Sequence, residues 1–222
     1  MKAHPTLKGF FTANRLLGTL NLLPGSAPFG ERLLTEEGRE FRIIDPRRSK
    51  LGAAVVKGIK ELGLCQGQVV LYLGAAHGYT ASFVSDIVGS SGFVFALDFA
   101  PRVVRQLYFV CSARTNMAPI LADAARPERY VHLVTAVDLI YQDIAQPNQL
   151  EIFLKNKKLF LKPGGYAIIA VKARSIDITA RPETIFERVK TGLLAAGLEL
   201  LDWKSLDPMQ RAHAMFVCRT RE

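Results

Sequence analysis

Residues 69–88, with the sequence VVLYLGAAHGYTASFVSDIV, constrain the fold of this chain more than any other stretch. The first five do not alternate with polar residues, which is typical of a strand buried on both faces in a parallel sheet. Small residues follow, and from Thr80 the apolar residues recur at helical spacing. The stretch therefore predicts a strand, a tight glycine loop and a helix. The free N–H groups at the start of that helix favour a ligand with hydrogen-bond acceptors or a carboxylate.

The loop does not match the common phosphate-binding motifs. Gly78 is followed by Tyr79 and Thr80, so the Gly-Lys-Ser/Thr ending of a P-loop is missing, and the loop is not G-x-G-x-x-G either. The next predicted strand, residues 92–97, is followed by Asp98. An acid at the tip of the second strand can accept hydrogen bonds from both hydroxyls of an adenosine ribose. These features favour a nucleoside cofactor site, and the alternative is a packing turn beside a surface acid.

Composition limits the class of protein. The 222 residues are 49% hydrophobic, enough for one sizeable core with a small appendage, and no apolar run approaches the roughly 18 residues of a membrane span. Three isolated cysteines and four scattered histidines lack metal-ligand spacing, which favours a cytoplasmic protein with buried thiols and no metal. The net charge of +9 suggests a polyanionic partner such as nucleic acid, or simply a generally basic protein.

The amino-terminal part differs in composition from the rest. Residues 1–30 contain no acidic residue, as in a transit peptide, but serine is scarce there and proline and glycine punctuate the stretch like loops. A small amino-terminal β-rich domain, residues 1–46, is therefore the favoured interpretation, followed by a second domain, residues 47–222.

Strands and helices alternate through the second domain. Helices are predicted at 49–62, 101–114, 149–160 and 182–196, strands at 117–121, 137–141, 166–171, 198–206 and 213–218, and a turn at 162–165. This alternation predicts an open, mostly parallel sheet with helices on both faces. The short link between the last two strands predicts that they are antiparallel.

Charged residues follow several of these strands. Ligands in such sheets bind outside the carboxyl ends of the strands, where the sequence provides Asp98, Asp123, Asp143 and Lys172. Each residue alone could cap a helix or solvate a strand end. Four in succession at one edge indicate a site.

Five blocks of the sequence together resemble a known family. They are VLYLGAAHGYTASFVSDIVG, FALDFAPR, PILADA, DIAQPNQ and KPGGYAIIAVKARSID. With them the chain resembles fibrillarin in its archaeal, guide-RNA-dependent form, because no Gly/Arg-rich arm precedes the first block. The resemblance implies a Rossmann-like methyltransferase fold with a small amino-terminal β domain. It also implies S-adenosylmethionine as cofactor and 2′-O-methylation of ribose in rRNA and tRNA.

The resemblance further implies partners. They are a box C/D guide RNA, its target rRNA or tRNA, a Nop-family scaffold protein and a kink-turn-binding protein of the L7Ae type. The resemblance implies no membrane partner.

The resemblance assigns cofactor contacts to positions that follow the first four strands of the second domain. These are Gly74, Ala75, Gly78, Tyr79, Thr80, Asp98, Phe99, Asp123, Ala124, Asp143, Ile144, Ala145 and Gln146. Tyr79 and Thr80 occupy a Thr-Thr pair, Asp98 and Phe99 match the ribose acid and the adenine neighbour, and the pair after the third strand matches the adenine edge. Residues 143–146 match the segment beside the methionine moiety.

A catalytic Lys-Asp-Lys-His tetrad carries over to Lys50, Asp143, Lys172 and His213. A ribose hydroxyl is a poor nucleophile, so it must be aimed at the methyl group and helped to lose its proton. Lys172 is the candidate for this task, with Asp143 holding the lysines and favouring the sulfonium. Without the resemblance, His213 reads as an edge-strand histidine.

Four positions depart from the family pattern, namely Ile44, His77, Tyr79 and Phe83, and none belongs to the tetrad.

RNA contacts are expected from basic residues near the same edge, namely Arg47, Arg48 and Arg174. A further lysine run at 155–162 reads as a solvated face.

Three alternatives remain open: an NAD-type oxidoreductase, a small-molecule O-methyltransferase and a noncatalytic RNA-binding subunit of the same particle. The segment 143–146 lacks the aromatic clamp of amine methyltransferases, which favours an oxygen acceptor.

Overall fold

The computed structural model describes residues 1–221, and the chain begins with a small antiparallel sheet. Its strands are β1 (Lys2–Ala3), β2 (Phe10–Ala13), β3 (Leu16–Leu20), β4 (Leu33–Glu36) and β5 (Arg39–Ile43), in the spatial order β1-β2-β3-β5-β4. The predicted amino-terminal β domain is thereby confirmed, while its boundary at residue 46 stays a prediction.

A seven-stranded sheet follows. Its strands are β6 (Val69–Leu73), β7 (Phe93–Asp98), β8 (Met117–Leu121), β9 (Val137–Gln142), β10 (Leu161–Lys172), β11 (Leu198–Ser205) and β12 (His213–Thr220). The spatial order is β11-β12-β10-β9-β6-β7-β8. Strand β12 is antiparallel to both of its neighbours, and the pairings among β6 to β10 are parallel. The expected Rossmann-like sheet is confirmed.

Six α-helices accompany the strands in the described part of the chain, together with a short 3-10 helix at Pro127–Arg129. They are α1 (Lys50–Val56), α2 (Tyr79–Val88), α3 (Pro101–Ser112), α4 (Gln149–Phe160), α5 (Ala173–Ile176) and α6 (Pro182–Ala195). None of the helices within residues 1–221 is both long and apolar enough to cross a membrane.

The first helix is shorter than the sequence pattern predicts. It ends at Val56 rather than continuing to residue 62, because Gly58 adopts a left-handed conformation with φ +77°. Ile59 and Leu62 are nevertheless buried, so their helical spacing reflects core packing of an irregular segment.

The predicted turn at 162–165 is also wrong. These residues belong to the first half of β10, which shifts register against β9 between Leu161 and Tyr166.

The order of strands creates a crevice at the centre of the large sheet. From β6 the chain proceeds through β7 to β8 on one side, then returns to pair β9 with the other side of β6. Ligands in open α/β sheets bind at such a reversal, outside the carboxyl ends of the two central strands. Gly74 follows β6 and Asp143 follows β9, so the predicted site lies at this crevice.

A buried ionic network joins the amino-terminal sheet to helix α2 of the second domain. Arg42 of β5 contacts Glu31 from the amino-terminal region and, at 2.6 Å, Asp86 of α2. Asp86 also accepts a hydrogen bond from Arg114 at 2.7 Å. Thr19 of β3 donates to the same carboxylate at 3.2 Å. The small sheet is therefore anchored to the helix that follows the glycine loop.

Candidate functional site

A cavity of about 340 Å³ opens at the carboxyl ends of β6, β7 and β9. Its lining combines apolar side chains with two carboxylates and consists of Gly74, Ala76, Leu97, Asp98, Phe99, Ala124, Asp143, Ile144, Ala145 and Gln146. An apolar slot with a few convergent polar groups is the usual character of a cofactor site. The lining residues thus come from four separate loops. Eight of these ten residues are ones that the sequence had singled out.

The wall beside β7 is built around Asp98. Its Oδ2 accepts a hydrogen bond from the Ala76 N–H at 3.0 Å, and its Oδ1 accepts one from the Ala100 N–H at 3.1 Å. Each carboxylate oxygen retains a further acceptor position. The N–H groups of Gly74 and Ala75 both donate to the Leu97 carbonyl at 2.9 Å. The loop after β6 is therefore held against the acid that could bind a diol.

Next to this acid, Phe99 is 66% exposed and lines the cavity. Ala124 lies buried on the same side, and its carbonyl accepts a hydrogen bond from Asn156 at 2.9 Å. Asp123 turns its Oδ1 to the Ala125 N–H at 2.9 Å. An exposed ring beside backbone and carboxylate acceptors suits a planar base.

At the β9 end of the cavity, Asp143 forms an ion pair with Lys50. The Lys50 Nζ is 2.8 Å from one carboxylate oxygen and 3.0 Å from the other. Lys50 is the first residue of α1, and Ser49 caps this helix by accepting from the Gly52 N–H at 3.1 Å. Two predicted tetrad members, far apart in sequence, are therefore in direct contact.

The other two members face each other across a strand pair. Lys172 is the Cα partner of His213 in the register of β10 against β12. The main chain of Lys172 is bracketed by Gln149, which accepts from its N–H at 3.1 Å and donates to its carbonyl at 3.2 Å. Sequence reasoning gave no role to Gln149, although this residue ends the DIAQPNQ block on which the family resemblance rests.

The environment of His213 links all four residues. Burial lowers the pKa of His213, the Arg211 carbonyl raises it, and the charges of Lys50 and Lys172 lower it while that of Asp143 raises it. The His213 Nδ1 is 2.7 Å from the Arg211 carbonyl oxygen. The ring is therefore neutral near pH 7, within the field of the three charged residues.

Five predicted cofactor residues do not line the cavity as residues 1–221 define it: Ala75, Gly78, Tyr79, Thr80 and Asp123. Gly78 precedes α2 with φ +96°, and a Cβ there would crowd Leu107. The side chains of Tyr79 and Thr80 contact the segment before α1 instead. Their assignment as cofactor contacts stays a prediction.

The predicted RNA-contacting arginines are all exposed. Arg47 pairs with Asp45 at 3.1 Å, Arg174 lies in α5 directly after Lys172, and Arg48 donates to the Phe29 carbonyl at 3.2 Å. The three lie on the chain segments that carry Lys50 and Lys172.

Comparison with known proteins agrees with this architecture. The fibrillarin-like rRNA/tRNA 2′-O-methyltransferase of Thermococcus onnurineus is 50% identical over 91% of this chain and 89% of that protein. The crystal structure of Aeropyrum pernix fibrillarin in complex with natively bound S-adenosyl-L-methionine matches with a TM-score of 0.89 at 43% identity, covering 97% of this chain and 96% of the other. A fibrillarin/Nop5p complex matches with a TM-score of 0.86 at 37% identity, covering 97% and 98%.

The family model for fibrillarin matches residues 1–222, which is the whole chain. With the strand order, the cavity and the four charged or titratable residues at its edge, this match leads to one conclusion: the chain belongs to the fibrillarin family.

Proposed function

We propose that this chain transfers a methyl group from S-adenosylmethionine to ribose 2′-hydroxyls of rRNA and tRNA, directed by a box C/D guide RNA. The proposal rests on one observation. The ion pair of Lys50 with Asp143 and the strand pair of Lys172 with His213 lie beside a cavity that suits a nucleoside. The Thermococcus relative is named for this activity.

The chemistry of the cavity fits the cofactor. Asp98 offers acceptors for a ribose diol, and the exposed ring of Phe99 offers a stacking surface for adenine. Asp143 lies at the opposite end and provides a negative charge for a cationic sulfonium. S-adenosylmethionine supplies an electrophilic methyl group when it is bound.

Lys172 orients the ribose hydroxyl and, as the neutral amine, accepts its proton with the nitrogen lone pair. The 2′-oxygen forms the new bond to the methyl carbon as the carbon–sulfur bond breaks, so one proton must leave the oxygen. Good alignment alone can contribute on the order of 7 to 11 kcal/mol to lowering the barrier. Gln149 fixes the Lys172 backbone and thereby the direction from which its side chain approaches.

Asp143 holds Lys50 in place through the ion pair and balances its charge. His213, neutral at pH 7, completes the polar edge opposite Lys172 in the β10–β12 pair.

The RNA is bound from the same edge. Arg47, Arg48 and Arg174 are exposed there, and phosphate contacts by arginine make binding weaken as salt rises. We assign the choice of nucleotide to base pairing with the guide. The assembly includes a Nop-family scaffold, as in the known fibrillarin/Nop5p complex, and a kink-turn-binding protein. Its proposed location is the cytoplasm, where free thiols such as Cys65, Cys111 and Cys218 persist.

The test is transfer of labelled methyl from S-adenosylmethionine to a target RNA paired with a matching box C/D guide, with and without the two partner proteins. We expect label on a single ribose, only in the assembled mixture, with its position moving when the guide sequence is changed. Cofactor binding without label would indicate a noncatalytic subunit. Label on a small molecule but not on RNA would contradict the substrate assignment.

A further inference from the structure

The side chain of Tyr79 turns away from the cofactor cavity. Its hydroxyl accepts a hydrogen bond from the Asp45 N–H at 3.1 Å. Its ring makes edge contacts with Phe29, at a centroid distance of 5.5 Å, and with Phe83, at 5.3 Å. The guanidinium of Arg48 lies over the ring at 4.3 Å from its centroid. All of these contacts are to residues between Phe29 and Arg48 or to α2 itself.

The next residue, Thr80, contacts the same segment. Its Oγ1 lies 3.1 Å from the Ser49 Oγ, which is the group that caps α1. Two consecutive residues of α2 thus hold residues 45–49 at three points: a backbone N–H, an arginine side chain and a capping hydroxyl. Lys50 is the next residue along the chain.

Arg48 is exposed and yet has a defined position. It donates to the Phe29 carbonyl at 3.2 Å while its planar group stacks on Tyr79. A stacked guanidinium loses less freedom when it binds a phosphate, because its plane is already fixed. Because Tyr79 fixes the plane of the Arg48 guanidinium, the side chain at position 79 affects how well Arg48 binds RNA.

We propose that Tyr79 is a positioning residue for the substrate RNA: it presents Arg48 to the phosphate backbone, and it does not contact the cofactor through its side chain. This inference rests on the proposed function, because it needs an RNA substrate at the same edge. It also gives a physical reason for tyrosine at a position where the family resemblance implies threonine. A threonine has no ring on which an arginine can stack.

The experiment compares Tyr79→Leu, Tyr79→Phe and wild type in two assays. Calorimetry measures the Kd of the isolated chain for S-adenosylmethionine, and guided methylation by the assembled particle gives KM for the target RNA and kcat. For Tyr79→Leu we expect KM to rise about three- to tenfold, from loss of the cation–π contact and of the order it imposes, with the cofactor Kd and kcat changed less than about twofold. Tyr79→Phe keeps the ring and should change KM by less.

Two controls make the result specific. Tyr108 is a 56% exposed tyrosine of α3 that makes an edge contact with Phe109, and Tyr108→Leu should leave KM unchanged. Arg48→Lys removes the planar group, and in that background Tyr79→Leu should add little, since the two residues act through one contact.

Each opposite outcome is decisive. A cofactor Kd weakened about tenfold, with an unchanged KM for RNA, would make Tyr79 a cofactor contact and overturn the proposal. Additive effects of the two substitutions would also overturn it. Failure of the proposed function itself is distinguishable, because wild type would then give no label on RNA.

Discussion

At the scale of single residues, the proposed chemistry depends most on Lys172. We expect Lys172→Ala to lower kcat about 10²- to 10⁴-fold, the usual contribution of a group that moves a proton in the transition state. Cofactor binding should be retained, since Lys172 is not among the cavity-lining residues. Single-turnover methylation measures the first effect and calorimetry the second. Lys190→Ala in α6 is the matched control. Near-normal turnover would remove Lys172 from the mechanism.

The titration of His213 reports on its charged neighbours. Burial lowers the pKa of His213 below its ordinary value of 6.5, and Lys50 lowers it further. We therefore expect the ring protons, followed by NMR, to titrate below pH 6.5 and Lys50→Met to move the midpoint upward. Lys190→Met should leave the midpoint unchanged. A downward shift in Lys50→Met would show that the field at His213 has the opposite sign.

The lowered pKa of His213 also determines how the free energy of unfolding changes with pH. In the pH range just below 6.5 the unfolded chain binds more protons at this residue than the folded chain does, so stability rises with pH there. The contribution of neutral His213 is complete above pH 6.5 and is lost as the pH falls through the lower, folded-state pKa.

At the scale of elements, the junction of β6 with β9 depends on Gly74. This residue has φ +82°, and a Cβ there would collide with the Asp143 carbonyl oxygen. Gly25 has nearly the same φ, +81°, and a Cβ there would meet no described heavy atom within 4 Å. We expect Gly25→Ala to cost about 1 kcal/mol for the left-handed backbone alone. Gly74→Ala should cost about 3 kcal/mol or more and weaken cofactor binding, because the two strand ends must separate.

Urea denaturation and calorimetry test this pair of substitutions. Equal losses of stability would mean that only the backbone angle matters and that the close approach of the two strands does not.

The type of an element was predictable where the hydrophobic spacing agreed with the positions of glycine and proline. Strand β6 has the predicted bounds, and α4 spans the predicted residues 149–160. The prediction was wrong where an apolar period continued past a glycine, as at Gly58, because spacing records burial and not the backbone conformation that achieves it.

At the scale of the whole molecule, Asp86 joins the amino-terminal sheet to the helices of the second domain. It accepts from Arg42 at 2.6 Å and from Arg114 at 2.7 Å, and all three side chains are almost fully buried. We expect Asp86→Ala to lower the free energy of unfolding by about 3 to 5 kcal/mol, because the buried guanidinium of Arg114 loses its counter-charge and that of Arg42 keeps only Glu31. Urea denaturation provides the measurement.

The exposed pair of Glu151 with Lys155 is the control for Asp86. Glu151→Ala should leave the free energy of unfolding nearly unchanged, because an i,i+4 pair on an exposed helix surface is screened by water. A loss below about 1 kcal/mol in Asp86→Ala would show that the amino-terminal sheet is not anchored by this network.

The site was only partly predictable. Asp98, Asp143 and Lys172 follow from the rule that ligands bind beyond the carboxyl ends of parallel strands. Lys50 and His213 entered through the family resemblance, because nothing local marks a lysine at a helix start or a histidine at a strand start as part of a site. The role of Gln149 could not be predicted from the sequence. Its side chain contacts the backbone of Lys172, and no motif spacing encodes such a contact.

The sequence by itself determined the order and type of most elements of the second domain, the parallel sheet and the edge at which a ligand binds, since these depend on local periodicity and on residues that end strands. Only the tertiary structure decided which side chains meet. It paired Lys50 with Asp143 from 93 residues away and turned Tyr79 toward Arg48 instead of the cavity. Such contacts depend on how distant segments pack, because the direction of a side chain is fixed by the neighbours that fill the space around it.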